Sequence, residues 1–161
     1  TILDNGLIKG AIGSRPFDRE GVATRQLTII EKGLLNSYIL DTYSSKKLGL
    51  KSTGHASGVT NFYLENGNSS PNEIIKSTEK GLLLTRTIGQ GTNPTTGDLS
   101  RGAFGLWIEN GEIAYPVAEI TISGNLGDII NNIEMVGNDL IFDRSITGPT
   151  IKVSEMTVAG I

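Results

Sequence analysis

The chain has 161 residues, with 21 Gly, 5 Pro, no Cys, one His and a net charge of −3. That length fits one domain, or at most two small ones. The 14 basic against 17 acidic side chains exclude the basic footprint of a nucleic-acid binder. No apolar run approaches the ~20 residues of a membrane helix, and the absence of Cys with a single His excludes a disulfide framework, a thiolate metal site and a multi-histidine metal site.

In chain order, the first signal is a hairpin. Leu27–Ile30 and Leu34–Leu40 flank Glu31-Lys32-Gly33, two apolar runs around a short Gly-containing turn. Thr42–Leu48 before Gly49 is a short helix candidate. Asn61–Leu64 is a strand candidate. Ser70-Pro71-Asn72-Glu73 spells a capping box with Pro at the first helical position, and Gly81 can close that helix. Leu82–Thr87 reads as a strand. Leu106–Glu109 and Ile113–Val117 flank Asn110-Gly111, which supplies the two positive φ angles of a type I′ turn. Pro116 cannot donate to a ladder and predicts an edge or a bulge. Glu119–Ser123 alternates polar and apolar, as a half-buried strand does. Asn125 can cap a second helix, with Asp128 in its first turn and Leu126, Ile129, Ile130 and Ile133 on one face, up to Gly137. Leu140–Phe142 and Thr150–Val153 are further strand candidates. Long Gly-rich loops are expected over 49–60 and 88–102. With strands outnumbering helices and no regular βαβ alternation, the expected class is α+β: mainly antiparallel β, as a sheet or barrel-like, with two or three short helices packed on it. Ile30–Leu35 and Ile108–Ile113 echo each other, which two hairpins sharing one turn chemistry explain.

No enzyme site follows from the residues alone. His55, in Ser52-Thr53-Gly54-His55-Ala56, lacks the strand–Gly-x-Ser-x-Gly–helix elbow of a hydrolase nucleophile and reads as a loop or interface His. Gly89-Gln90-Gly91 runs into Thr92-Asn93-Pro94, which cannot open the helix a dinucleotide fingerprint needs; a tight turn, or backbone lying close to a peptide, fits better. Asp4, Asp18, Glu20, Asp98 and Asp139 show no spacing that pairs them, so loop solvation and turn capping are expected. Arg15, Arg19, Arg25 and Arg101 are expected in salt bridges or on solvated faces. Phe104, Trp107 and Tyr115 fit a core or a sheet face.

Several strings together resemble one family. They are Gly13–Val22, Tyr38–Ser44, Ser52–Ala56, Ile88–Gly91, Thr96–Ala103, Trp107–Ile113, Tyr115–Val117, Gly137–Leu140 and Thr157–Gly160. In this order they resemble the C-terminal domain of the TldD/PmbA family, on the PmbA (TldE) side, across 1–161 as a single domain. The resemblance implies a cytoplasmic protein of peptide processing or degradation, in a family also labelled modulator of DNA gyrase. It implies a TldD-type subunit that carries zinc on a His-Glu-x-x-x-His helix upstream and on a Cys in a Gly-rich insertion after the Gly-Asn-Asp-Leu segment. Here Gly137-Asn138-Asp139-Leu140 continues as Ile141-Phe142-Asp143-Arg144, with no Cys and no insertion, so neither a metal nor a catalytic residue is expected in this domain. Zinc would belong to a TldD-type partner. Gly54, His55, Gln90, Gly91, Ser100 and Arg101 fall in family-typical loops and are the expected contacts to peptide or partner. Expected partners are a TldD-type subunit or a second copy, and a peptide substrate, with no membrane and no nucleic acid. Alternatives are a homodimeric structural or peptide-binding module without a protease, and a fragment of an active metallopeptidase whose zinc ligands lie upstream.

Overall fold

A computed structural model describes residues 1–160. Along the chain run β1 (Ile2–Asn5), β2 (Gln26–Glu31), β3 (Leu34–Leu35), α1 (Thr42–Leu48), β4 (Phe62–Leu64), α2 (Pro71–Lys76) and β5 (Lys80–Ile88). Then come β6 (Asp98–Glu109), β7 (Glu112–Asn125), α3 (Leu126–Asn131), β8 (Ile133–Val136), β9 (Ile146–Thr147), β10 (Ile151–Val153) and β11 (Thr157–Ala159). All pairings are antiparallel except β4 with β9, and the sheets are open, with free edges and no closed barrel among the described residues. The expected α+β class holds in its sheet form. Two compact units divide the chain: Thr1–Asn66 with Asp139–Pro149, and Gly67–Asn138 with the chain from Thr150 onward.

The first unit holds the sheet β3-β2-β1-β4-β9. Its β2–β3 turn uses Lys32 at φ 49° and Gly33 at φ 84°, the positive pair that matches strand twist. The second arm is shorter than Leu34–Leu40, because Asn36 N and Ser37 N both donate to Ile29 O, at 2.8 and 3.3 Å. That shared acceptor pulls the chain off the ladder after Leu35. α1 forms as expected: Asp41 accepts Ser44 N at 2.7 Å, and Gly49 closes it at φ 66°. Leu140–Phe142 forms no strand; the strand that joins β4 is Ile146–Thr147.

In the second unit, β5, β6 and β7 form a meander that continues to β11, and β8 pairs β10. Asn110 at φ 51° and Gly111 at φ 77° make the expected β6–β7 turn. Pro116 pairs with Leu106 where β7 has β6 as its one ladder neighbour, since β11 reaches only Thr121–Ser123. Pro116 thus lies where β7 has a free side, in keeping with the edge expectation. Glu119, at φ 57°, inserts an extra residue between the Val117↔Gly105 and Ile120↔Ala103 pairs, a bulge that no turn signal in the sequence announces. Below it lies the core: Ala103, Ile120 and Ile122, packed by Leu82, Leu99, Val117, Met156 and Val158.

Both helices of this unit stop earlier than expected. Ser70 and Glu73 complete the reciprocal capping box, but the helix ends at Lys76 rather than near Gly81. Ser77 and Thr78 turn their hydroxyls onto Ile74 O at 2.7 and 3.0 Å, the local competition that ends helices. Asn110 N and Gly111 N then take Glu79 O and Thr78 O, so Gly81 is already in β5. Asn125 caps α3 through Gly127 N at 2.9 Å, yet Ile133 leaves the expected helical face. Ile133–Val136 also alternates as a strand, and pairing with Ile151–Val153 wins; Gly137 therefore follows a strand. The expected loop over 88–102 is a hairpin tip of 89–97, with Asp98–Gly102 already in β6.

Candidate functional site

In the first unit, β1 carries Asp4 into the interior between β2 and β4. Asp4 and Thr60 are 0% exposed and His55 is 4%. A buried carboxylate is costly unless it is paired and hydrogen-bonded, and this one is both. Its Oδ2 meets His55 Nε2 at 2.7 Å and accepts the Thr60 hydroxyl, while Oδ1 accepts Thr60 N at 2.7 Å. On the other side of the ring, His55 Nδ1 lies 3.0 Å from Thr53 Oγ1. That oxygen also accepts Leu40 N at 2.8 Å and lies 3.1 Å from Leu40 O.

The proton count of this chain works in two ways. A neutral imidazole gives its Nε2 proton to Asp4 and accepts the Thr53 hydroxyl at Nδ1. An imidazolium donates from both nitrogens, and the Thr53 hydroxyl turns to Leu40 O. Neither state leaves a ring nitrogen unpaired. Burial pushes the Asp4 carboxyl up, but the hydrogen bonds from His55 and Thr60, with the charge of His55, outweigh it and hold the carboxyl below the ordinary value. A carboxyl lowered in the folded state adds stability above its unfolded value of ~3.9, lost as pH falls through the folded value. Denaturant unfolding at pH 7, 5 and 3 is expected to show wild type losing more stability than Asp4→Asn between pH 5 and 3. Parallel losses would remove Asp4 as the source.

Gly54 and Asp18 build the loop that brings His55 there. Gly54 sits at φ 81°, with the site of a Cβ 2.7 Å from Ala23 O, so a side chain would clash with backbone and strain the turn. Asp18 caps neighbouring backbone, taking Glu20 N, Val22 N and Ala56 N at 2.9, 3.0 and 2.9 Å. Its turn-capping expectation holds. Asp4 departs from it: this aspartate is a strand residue buried against an imidazole. Arg19 and Arg25 are exposed, as expected of solvated faces, whereas Arg15 and Arg101 depart from that expectation. Arg15 donates to Gly58 O and Val59 O at 2.5 and 3.2 Å, and Arg101 to Gly89 O at 2.6 Å, so backbone carbonyls rather than carboxylates hold them.

In the second unit, Gln90, Gly91 and Ser100 come together at the β5–β6 tip, along an open depression of about 580 Å³ whose other walls include Asn93 and Asp98. Ser100 N donates to Gly91 O at 2.6 Å, and a Cβ on Gly91 would lie 1.7 Å from Ser100 O. The two backbones touch there, so only glycine fits. Asn93 accepts Thr95 N at 2.9 Å, and Asn125 ties Thr96 O and Asp98 to α3. Gln90 and Ser100 remain exposed.

The six expected contact residues thus fall into two sets: Gly54 and His55 buried in the first unit, and Gln90, Gly91, Ser100 and Arg101 on one hairpin tip in the second. The residue pattern pairs Asp4 neither with His55 nor with Thr60. The available signal was an acid inside Ile2-Leu3-Asp4-Asn5, whose apolar neighbours mark a strand. Among the described residues no three His, Cys, Asp or Glu side chains are grouped to hold a metal, and no helix is long and apolar enough to cross a membrane.

Comparison with known proteins bears on the family and the fold. The family model for the PmbA/TldA metallopeptidase C-terminal domain matches residues 1–160. The metalloprotease PmbA of Escherichia coli O157:H7 is 48% identical over 154 residues, 96% of this chain and 34% of that protein. A crystal structure from Thermotoga maritima, described as a modulator of a DNA gyrase, superposes with a TM-score of 0.92 at 35% identity, over 98% of this chain and 38% of that one. TldE from Thermococcus kodakarensis superposes with a TM-score of 0.87 at 26% identity, over 99% and 39%. The chain spans about a third of the length of the curated relatives it matches. With the family model covering nearly every residue and the fold shared with these structures, the chain belongs to the PmbA/TldD metallopeptidase family, as its C-terminal domain.

Proposed function

We propose that this domain is the non-catalytic C-terminal part of a PmbA-type subunit, cytoplasmic and acting in peptide processing or degradation beside a zinc-bearing TldD-type subunit. The observation that carries the reading is the state of the one histidine. Zinc hydrolysis needs about three protein ligands and an open position for water. This chain has no Cys, and both ring nitrogens of its one His are committed to Asp4 and Thr53. The residues present therefore do not fit a zinc site of the TldD kind. Kinship with a protein named metalloprotease PmbA supports the PmbA side.

On this reading the hairpin tip touches peptide or partner through Gln90 and Ser100. Gly91 and Arg101 hold its shape, while Gly54 and His55, in the other unit, fix the 53–60 loop. The intact subunit, assayed for peptide cleavage alone and mixed with its zinc-bearing partner, is expected to be inactive alone and active in the mixture. Cleavage by the subunit alone, with bound zinc, would overturn the reading in favour of ligands upstream. Gln90→Ala and Arg101→Ala are each expected to lower turnover of the mixture or its assembly several-fold. Unchanged values for both would remove the tip from the contact.

A further inference from the structure

The first unit is built with polar side chains inside and large apolar ones outside. The buried polar and charged side chains found among the described residues, Asp4, Asp18, His55, Thr60 and Asn61 among them, all belong to it. Its buried aliphatic side chains are few: Leu3, Ile29, Leu40 and Ala56. Meanwhile Leu34, Leu35, Tyr38, Tyr43, Leu48 and Leu50 are each 51 to 75% exposed. These six lie within 17 residues, on β3, on α1 and on the connections beside them. Isolated exposed apolar residues are ordinary, but a concentration of this kind marks a surface that another chain segment covers. The charged side chains of the stretch are Asp41, Lys46 and Lys47, and none lies in 34–40, as suits the depleted charge of an interface core. A buried Leu carries on the order of 100 Å² of apolar area and a Tyr more. The exposed part of six such side chains therefore comes to roughly 500 Å², more than half of the ~800 Å² that one side contributes to a standard interface.

We infer that segment 34–50 is the seat of the polypeptide that precedes this domain in full-length proteins of the family. The relatives carry the matching region on about a third of their length, and the family model describes a C-terminal domain. Roughly two-thirds of such a chain thus lies outside the region described, tethered to it and at high effective concentration. A domain made only as part of that longer chain can leave its apolar side chains outward, because folding buries them at once against the rest. The surface named here shares no residue with the hairpin tip of the proposed function and does not rest on that reading.

The test uses the full-length protein with a benzophenone amino acid replacing Tyr43 or Leu48, and a control replacement at the exposed Glu112. Light and heavy isotope-labelled copies are mixed before irradiation, so that cross-links within one polypeptide are told from those between two. The expected result is cross-linking from both positions to upstream residues of the same copy, about tenfold above the control. Light–heavy products would overturn the inference in favour of a second copy, and, in a parallel irradiation with a TldD-type subunit added, cross-links to that subunit would overturn it in favour of that partner. Yields no higher than the control would overturn it by leaving the surface bare.

Discussion

Asp4→Ala is expected to cost about 3–5 kcal/mol, the range for breaking a buried ion pair from one side. The substitution leaves three buried donors facing an empty space: His55 Nε2, Thr60 N and the Thr60 hydroxyl. Unmade buried hydrogen bonds are what make this expensive, since each stranded group keeps its desolvation cost. The loss is a large part of the ~5–15 kcal/mol that holds an ordinary domain together. Asp4→Asn should cost less. Its carbonyl can still accept Thr60 N, and its amide can donate to an unprotonated Nε2 once His55 carries its proton on Nδ1 toward Thr53. Denaturant unfolding monitored at the single Trp107 and by circular dichroism would measure both, and a double-mutant cycle with His55→Ala would isolate the pair. A cost below 1 kcal/mol for Asp4→Ala would mean that water reaches the carboxylate and that the pair is not structural.

Gly91→Ala is expected to open the tip of the β5–β6 hairpin and to lower overall stability by about 1–3 kcal/mol, the scale of overpacking. The site of the new methyl carbon lies 1.7 Å from Ser100 O and 2.8 Å from Ser100 C. Both are backbone atoms, so no rotamer relieves the contact and the two chains must part. The Gly91–Ser100 hydrogen bond and the Thr92↔Leu99 bridge would then be lost, while the pairs from Lys80↔Glu109 to Ile88↔Gly102 can persist. Hydrogen exchange at the Ser100 amide should accelerate at least tenfold, with the amides between Leu82 and Leu84 unchanged. A drop in Tm of roughly 2–4 °C per kcal/mol is expected for a chain of this size. Unchanged exchange at Ser100 would show that the hairpin tip tolerates a side chain there.

Local chemistry alone determined several features of this protein. Asn110-Gly111, Asp41 with Gly49, and the Ser70–Glu73 box act within a few residues, and each produced its turn or cap where the residue types require it. The absence of Cys and the single His are likewise plain in the sequence. Family membership was also legible, because the matching strings run nearly the whole chain.

Tertiary structure decided the rest, wherever one stretch had two local solutions. Ile133–Val136 fits a helix face or a strand equally well, and only Ile151–Val153 beside it makes it a strand. The bulge at Glu119 arises from the register between β6 and β7, which no single segment encodes. Asp4 and His55 stand 51 positions apart, and nothing in either neighbourhood predicts the other. Their meeting depends on β1 lying central in its sheet, on Gly54 letting the loop approach Ala23, and on Asp18 gathering backbone donors from both sides of that turn. Short-range bonding is written in neighbouring residues, whereas a buried pair across the fold exists only once the backbone has excluded water around it.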